Sequence, residues 1–172
     1  MFDKKYFYIL LLLNNMNILN NIKGFQLKSK TLSKNKPINK EYTCLGENIN
    51  PDFYWINPPE NTKSYGLILE DFDAKNPHPF VHWIIFNMDK NVKSIEINNR
   101  KYDNGFNSYN LDYYKGPCPP INELHHYKFT LFALSKEHFD KNIGINRETF
   151  LNAIKNYIID KASLTVIFSR TI

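Results

Sequence analysis

The chain has 172 residues, of which 42% are apolar and 15% aromatic. That is enough for one core of ordinary size, and too rich in aromatics for wholesale disorder. The net charge of +5 is unevenly placed: residues 1–40 carry +7, from eight Lys against Asp3, and residues 41–172 carry −2. A nucleic-acid binder needs its basic charge on the folded surface, so this distribution argues against one.

Residues 1–13 open with Lys4 and Lys5, followed by an apolar run of eight residues, 6–13. That length suits the ~7–15 residues of a signal-peptide core and falls short of the ~20 of a spanning helix. The polar stretch 14–17 and the lack of a small-x-small site before Gly24 weaken the case. The reading is a signal-peptide-like or disordered leader over 1–24 and a single domain over 25–172. Export is favoured over the cytoplasm, with no stable membrane insertion. Asn and Lys dominate the polar residues, which reads as AT-rich coding more than as chemistry.

From Phe25 onward the pattern is mainly β. Residues 64–70 and 80–86 are short runs of aromatic and branched residues suited to a sheet core. Residues 126–134 alternate, with Tyr127, Phe129, Leu131 and Ala133 on one face and Lys128, Thr130 and Phe132 on the other. Residues 162–168 read as a last strand, with Leu164, Val166 and Phe168 facing one way. Proline- and glycine-rich turns at 57–59, 76–79, 103–105 and 116–120 punctuate these runs. One helix is expected near 146–159: Asn146 suits the N-cap, Glu148 the positive end of the dipole, and Phe150, Leu151, Ile154, Tyr157 and Ile158 form an apolar face.

Most familiar chemistries find no support. There is no Gly-x-Ser-x-Gly elbow, phosphate-cradling glycine loop or dinucleotide turn. His78 and His82 are four apart, but Pro77 and Pro79 break any helix there. His125 and His126 are adjacent in a strand, so their side chains point to opposite faces. Neither a metal nor a cofactor is expected. Two cysteines are too few for a disulfide framework or a four-cysteine zinc site. Cys118, between Pro117 and Pro119, lacks the helix N-terminus that activates a thiol. It reads either as a small packed side chain or as half of a disulfide with Cys44. A bridge suits an exported chain and would not persist in a reducing cytosol.

What stands out is polar chemistry at apolar positions. Glu70, Asp71 and Asp73 end one strand, His82 interrupts another, and His125 opens a third just after the 116–120 turn. Asp paired with His fixes its tautomer or holds it cationic, and such a His binds phosphate or carboxylate oxygens.

At these residues the chain resembles the phosphatidylethanolamine-binding protein family, in its bacterial-type Raf-kinase-inhibitor-like branch. The ordered matches include Tyr42-Thr-Cys-Leu-Gly-Glu, Trp55 with Pro58-Pro59, Leu69-Glu-Asp-Phe-Asp-Ala74, His82-Trp83, Tyr114-Lys-Gly-Pro-Cys-Pro-Pro120, His125-His-Tyr127 and the closing Ala162-Ser-Leu. The resemblance implies two packed antiparallel β-sheets with few helices and a small anion-binding cavity at one end. It assigns Asp71, His82 and His125 to the ligand, with both histidines donating to an oxyanion. Asp73, Gly116, Pro119, Pro120 and Tyr127 form the supporting shell. It implies a non-enzymatic protein binding a small phosphate or carboxylate, such as a phospholipid head group. The alternative is an interaction module that inhibits a kinase or protease through surface loops. Three departures stand out. Phe72 and Lys75 replace prolines, and His126 stands where an Arg is usual, which threatens a salt bridge.

Overall fold

The computed structural model describes residues 24–140 and 144–171. The leader expected over 1–24 therefore lies, except for Gly24, outside the described residues. Eight strands run in chain order: β1 (Gln26–Lys28), β2 (Phe53–Ile56), β3 (Ser64–Asp71), β4 (Phe80–Asp89), β5 (Ser94–Ile95), β6 (Asp103–Gly105), β7 (Leu124–Leu134) and β8 (Ile158–Ser169). They form two antiparallel sheets, ordered β1-β2-β5 and β6-β4-β3-β7-β8. The mainly β architecture expected from the sequence is the one observed.

Strand β3 is buried along its whole length, because both faces of the larger sheet are covered. Leu67 and Leu69 face the smaller sheet in a core with Leu27, Phe53, Trp55, Ile95, Phe129 and Leu131. The rings of Phe53 and Phe129 meet there at 4.6 Å. Ile68 faces the other way, joining Ile84, Phe86 and Phe132 under α1 (Arg147–Ile154), which contributes Phe150 and Ile154. Gly66 lets Phe150 lie against β3: a Cβ there would sit 2.9 Å from the ring. Asn146 caps α1 as expected, its side chain accepting from the Thr149 N–H while the Thr149 hydroxyl accepts from the Asn146 N–H.

The helix is shorter than the expected 146–159. The Tyr157 N–H donates to the Ile154 carbonyl, closing a turn, and β8 begins at Ile158, opposite Leu134. The Tyr157 carbonyl accepts from the Ser135 N–H, and its ring packs edge-on against Phe139. The two β-branched residues that follow, Ile158 and Ile159, extend the strand rather than the helix. β8 lies at the edge of its sheet, and the incoming chain partly covers it. Asn35 N–H donates to Thr165, Ile38 N–H donates to Ile167, and Ile167 N–H donates back to Lys36, which blunts a long exposed edge.

Candidate functional site

Sheet order creates the site. β3 lies between β4 and β7, so the C-terminal end of β3 meets the N-terminal ends of its two antiparallel neighbours. In register, Asp71 pairs with Phe80 on one side and Tyr127 on the other. His82 and His125 each lie two residues from those partners, so all three expected ligand residues reach one end of the sheet. All are buried, with 2–5% of their surface exposed.

Asp71 uses both carboxylate oxygens. Oδ1 accepts from the backbone N–H of Asp73 (2.9 Å) and of Ala74 (3.2 Å), which shapes the turn after β3. Oδ2 accepts from His125 Nδ1 at 2.7 Å. The other nitrogen of that ring, Nε2, donates to Glu123 Oε2 at 3.3 Å. Two carboxylates accept from one ring, so both nitrogens carry protons and His125 is an imidazolium. Burial works against that charge, but the bonds to Asp71 and then Glu123 outweigh it and hold the pKa above the ordinary histidine value.

His82 is set up in the opposite way. Its Nδ1 lies 2.7 Å from the Lys115 carbonyl, which can only accept, so Nδ1 is the protonated nitrogen. Burial lowers its pKa despite the bonds to the Lys115 and Gly116 backbone. Burial thus favours the neutral ring, in which Nδ1 carries the proton and Nε2 has the lone pair. The two rings therefore differ: His125 is held between two carboxylates, whereas the Nδ1 proton of His82 is taken by a backbone carbonyl.

Tyr127 lies beneath both rings, 5.3 Å from His82 and 6.3 Å from His125 between centroids. Its buried hydroxyl has no partner at good hydrogen-bond geometry among the described residues, and burial, then the Asp71 charge, push its pKa upward. Pro119 and Pro120 form one wall, with Cys118 beside them. Cys118 is bonded to Cys44, whose N–H also donates to the Pro117 carbonyl, so the wall is stapled to the loop ahead of β2. Gly116 does not line the cavity. It lies so close to the Tyr42 carbonyl that no Cβ fits, and its N–H donates to Asn48 Oδ1 at 2.7 Å. Asp73 faces outward and binds His126 through its N–H and Nδ1, at 2.6 and 2.8 Å. The His at the position where Arg is usual therefore keeps a hydrogen-bonded contact with Asp73.

The cavity, of about 180 Å³, is completed by residues that the sequence reading did not assign to it: Ala74, Lys75, Phe80, Tyr109 and Glu123. Glu123 was within reach of that reading only by its nearness in sequence, two residues before His125 and just ahead of β7. A larger open groove of about 880 Å³ lies beyond Phe80, between loop 76–79 and the start of α1. Among the described residues no group of three or more His, Cys, Asp or Glu is arranged to hold a metal, and no helix is long and apolar enough to cross a membrane.

These features define a two-sheet antiparallel β protein with an Asp–His cavity at one end of its larger sheet. The family model for phosphatidylethanolamine-binding proteins matches residues 28–169, and the chain belongs to that family. A UPF0098 protein of Methanothermobacter thermautotrophicus is 34% identical over 151 residues, covering 84% of this chain and 98% of the relative. The crystal structure of CT736, a phosphatidylethanolamine-binding protein homologue from Chlamydia trachomatis, has a TM-score of 0.80 at 30% identity, covering 86% and 99% of the two chains. YbcL of E. coli also has a TM-score of 0.80, at 22% identity over 84% of this chain and 98% of its own. That last likeness concerns the fold.

Proposed function

We propose that the chain is a non-enzymatic receptor for a small oxyanion, a phosphate or carboxylate of the size of a phospholipid head group. The observation that carries this reading is the buried His125 ring held between the carboxylates of Asp71 and Glu123. Asp71 fixes its orientation through Nδ1, and Nε2–H is turned to a carboxylate that itself lies on the cavity lining. A preformed, charge-assisted donor in a partly dry cavity is what oxyanion recognition uses. The cavity is smaller than the ~300–1,000 Å³ typical of drug-sized ligands, which fits a head group rather than a nucleotide. Among the described residues its only cysteine is held in a disulfide and no Ser or Thr lines it, so the lining offers no Ser, Thr or thiol nucleophile for turnover.

The test is a titration of the full chain with phosphorylethanolamine and inorganic phosphate, following the imidazole NMR signals from pH 5 to 8. Saturable shifts confined to His82 and His125, and lost in Asp71→Ala, are expected. Silence from both rings would refute the pocket reading and move attention to the surface loops.

A further inference from the structure

Resting on that reading, we infer that the Glu123 carboxylate is a built-in occupant of the anion position, so the site admits phosphomonoesters and turns away carboxylates. Glu123 bridges two cationic donors on the cavity rim. Oε2 accepts from His125 Nε2 at 3.3 Å, and Oε1 accepts from Lys75 Nζ at 3.1 Å. A free carboxylate ligand would make this same two-point contact. The side chains of Glu123 and Lys75 are 38% and 83% exposed, so the carboxylate can swing into solvent without uncovering core. The bonds to Lys75 and His125 also keep it ionised, holding its pKa below the ordinary value.

A tethered group competes at an effective concentration of mM order for short flexible links. Glu123, two residues before His125 and held in the turn that enters β7 by its N–H bond to the Pro120 carbonyl, is at least as well placed. An incoming monocarboxylate brings the same charge and the same two oxygens, so it gains nothing by displacing Glu123. A phosphomonoester brings three terminal oxygens and a charge approaching −2. Its oxygens can take over His125 Nε2–H and Lys75 Nζ together. With a second pKa of about 6 it is mostly the dianion at pH 7, yet it can be bound with one proton at only about a tenfold cost. His82, a lining residue whose Nδ1 proton is already given to the Lys115 carbonyl, is the partner for that proton. A carboxylate at pH 7 has none to offer. A phosphodiester, as in an intact phospholipid, has two free oxygens, a single charge and no such proton, so it ranks with the carboxylates.

The experiment titrates wild type, Glu123→Ala and Glu123→Gln at pH 7 with four probes: acetate, inorganic phosphate, phosphorylethanolamine and glycerophosphoethanolamine. Amide spectra confirm that each variant is folded. Wild type is expected to bind the two monoester-type probes at least about tenfold more tightly than acetate or the diester. Glu123→Ala is expected to raise acetate and diester affinity about tenfold and monoester affinity less, so the ratio collapses. Glu123→Gln keeps the shape without the charge and is expected to fall between. Equal binding of phosphate and phosphorylethanolamine means that the phosphoryl group alone is read, and tighter phosphorylethanolamine means that the amine contributes; both agree with the inference. Acetate affinity within twofold of wild type in Glu123→Ala overturns it while leaving the pocket reading intact. No saturable binding of any probe to any variant overturns both.

Discussion

Asp71→Asn separates the two tasks of the carboxylate. The amide oxygen can still accept from the Asp73 and Ala74 N–H groups, so the turn after β3 is kept. What is lost is the 2.7 Å charge-assisted bond to His125. Hydrogen bonds to charged groups contribute about 1.5–3 kcal/mol, and breaking a fully buried ion pair costs about 3–5 kcal/mol. Glu123 still faces the other ring nitrogen, so the expected loss is about 2–3 kcal/mol. With a urea m-value of about 2 kcal/mol/M, the midpoint falls by roughly 1–1.5 M. The loss must also depend on pH. His125 holds its proton more tightly folded than unfolded. Its contribution is therefore complete below the unfolded value of about 6.5 and is lost as pH rises through the folded value. Urea melts of both proteins from pH 5.5 to 9 should show the gap narrowing at the alkaline end. The His125 titration in the variant should move back toward the ordinary value. A midpoint shift of the same size at every pH, or none, would refute the charged-pair reasoning and leave Asp71 as a turn residue only.

Three further expectations concern the frame around the cavity. Gly116→Ala drives a methyl group into the Tyr42 carbonyl and to within 3.0 Å of Thr43 Cα, backbone that the nearby disulfide keeps from retreating. A thermal melt should show at least about 2 kcal/mol lost. The Cys44–Cys118 bridge spans 74 residues, so Cys44→Ser should cost about 4 kcal/mol by chain entropy; thiol titration of the unreduced, denatured wild type should find no free thiol. Asn35 has a φ of 58°, so Asn35→Ala should lose about 1 kcal/mol while Asn35→Gly stays within about 0.5 kcal/mol of wild type, both read from urea midpoints.

The larger sheet was legible because its strands carry their own signals. The strict alternation from Tyr127 to Ala133 and the apolar runs in β3 and β4 survive unchanged in the structure. The short strands are a different case: β1 and β5 of the smaller sheet and β6 at the edge of the larger one have two or three residues each, too few to show a period. Their places are set by register against longer strands. The end of α1 was misread for a related reason. Tyr157 and Ile158 continue a helical spacing on paper, yet the chain turns there because β7 offers Ile158 a ladder partner in Leu134, a tertiary contact that local pattern does not contain. The Asn content also turns out to be structural. Among the described residues, all eight non-glycine positions with positive φ are Asn, while Gly144 is the one glycine there. In this glycine-poor chain Asn takes the left-handed turn positions, as its short amide side chain allows.

The site was legible in its members and not in its electrostatics. Asp71, His82 and His125 could be picked out as polar residues on apolar strands, but nothing in one strand says that two histidines will hold opposite charge states. That difference comes from what faces each ring. Lys115 presents a carbonyl to His82, which fixes the proton on Nδ1 and leaves a lone pair. Asp71 and Glu123 present carboxylates to both sides of His125, which requires a proton on each nitrogen. Asp71 is two strand ends away from His125 in sequence, and Lys115 belongs to a loop that crosses β4. The pair therefore combines one fixed donor with one fixed acceptor, a polarity suited to a ligand that carries both oxygens and a proton. Exchanging the carbonyl for a carboxylate, or either carboxylate for an amide, would erase that asymmetry without moving a strand, so the chemistry of this pocket is set by its loops while its position is set by the sheet.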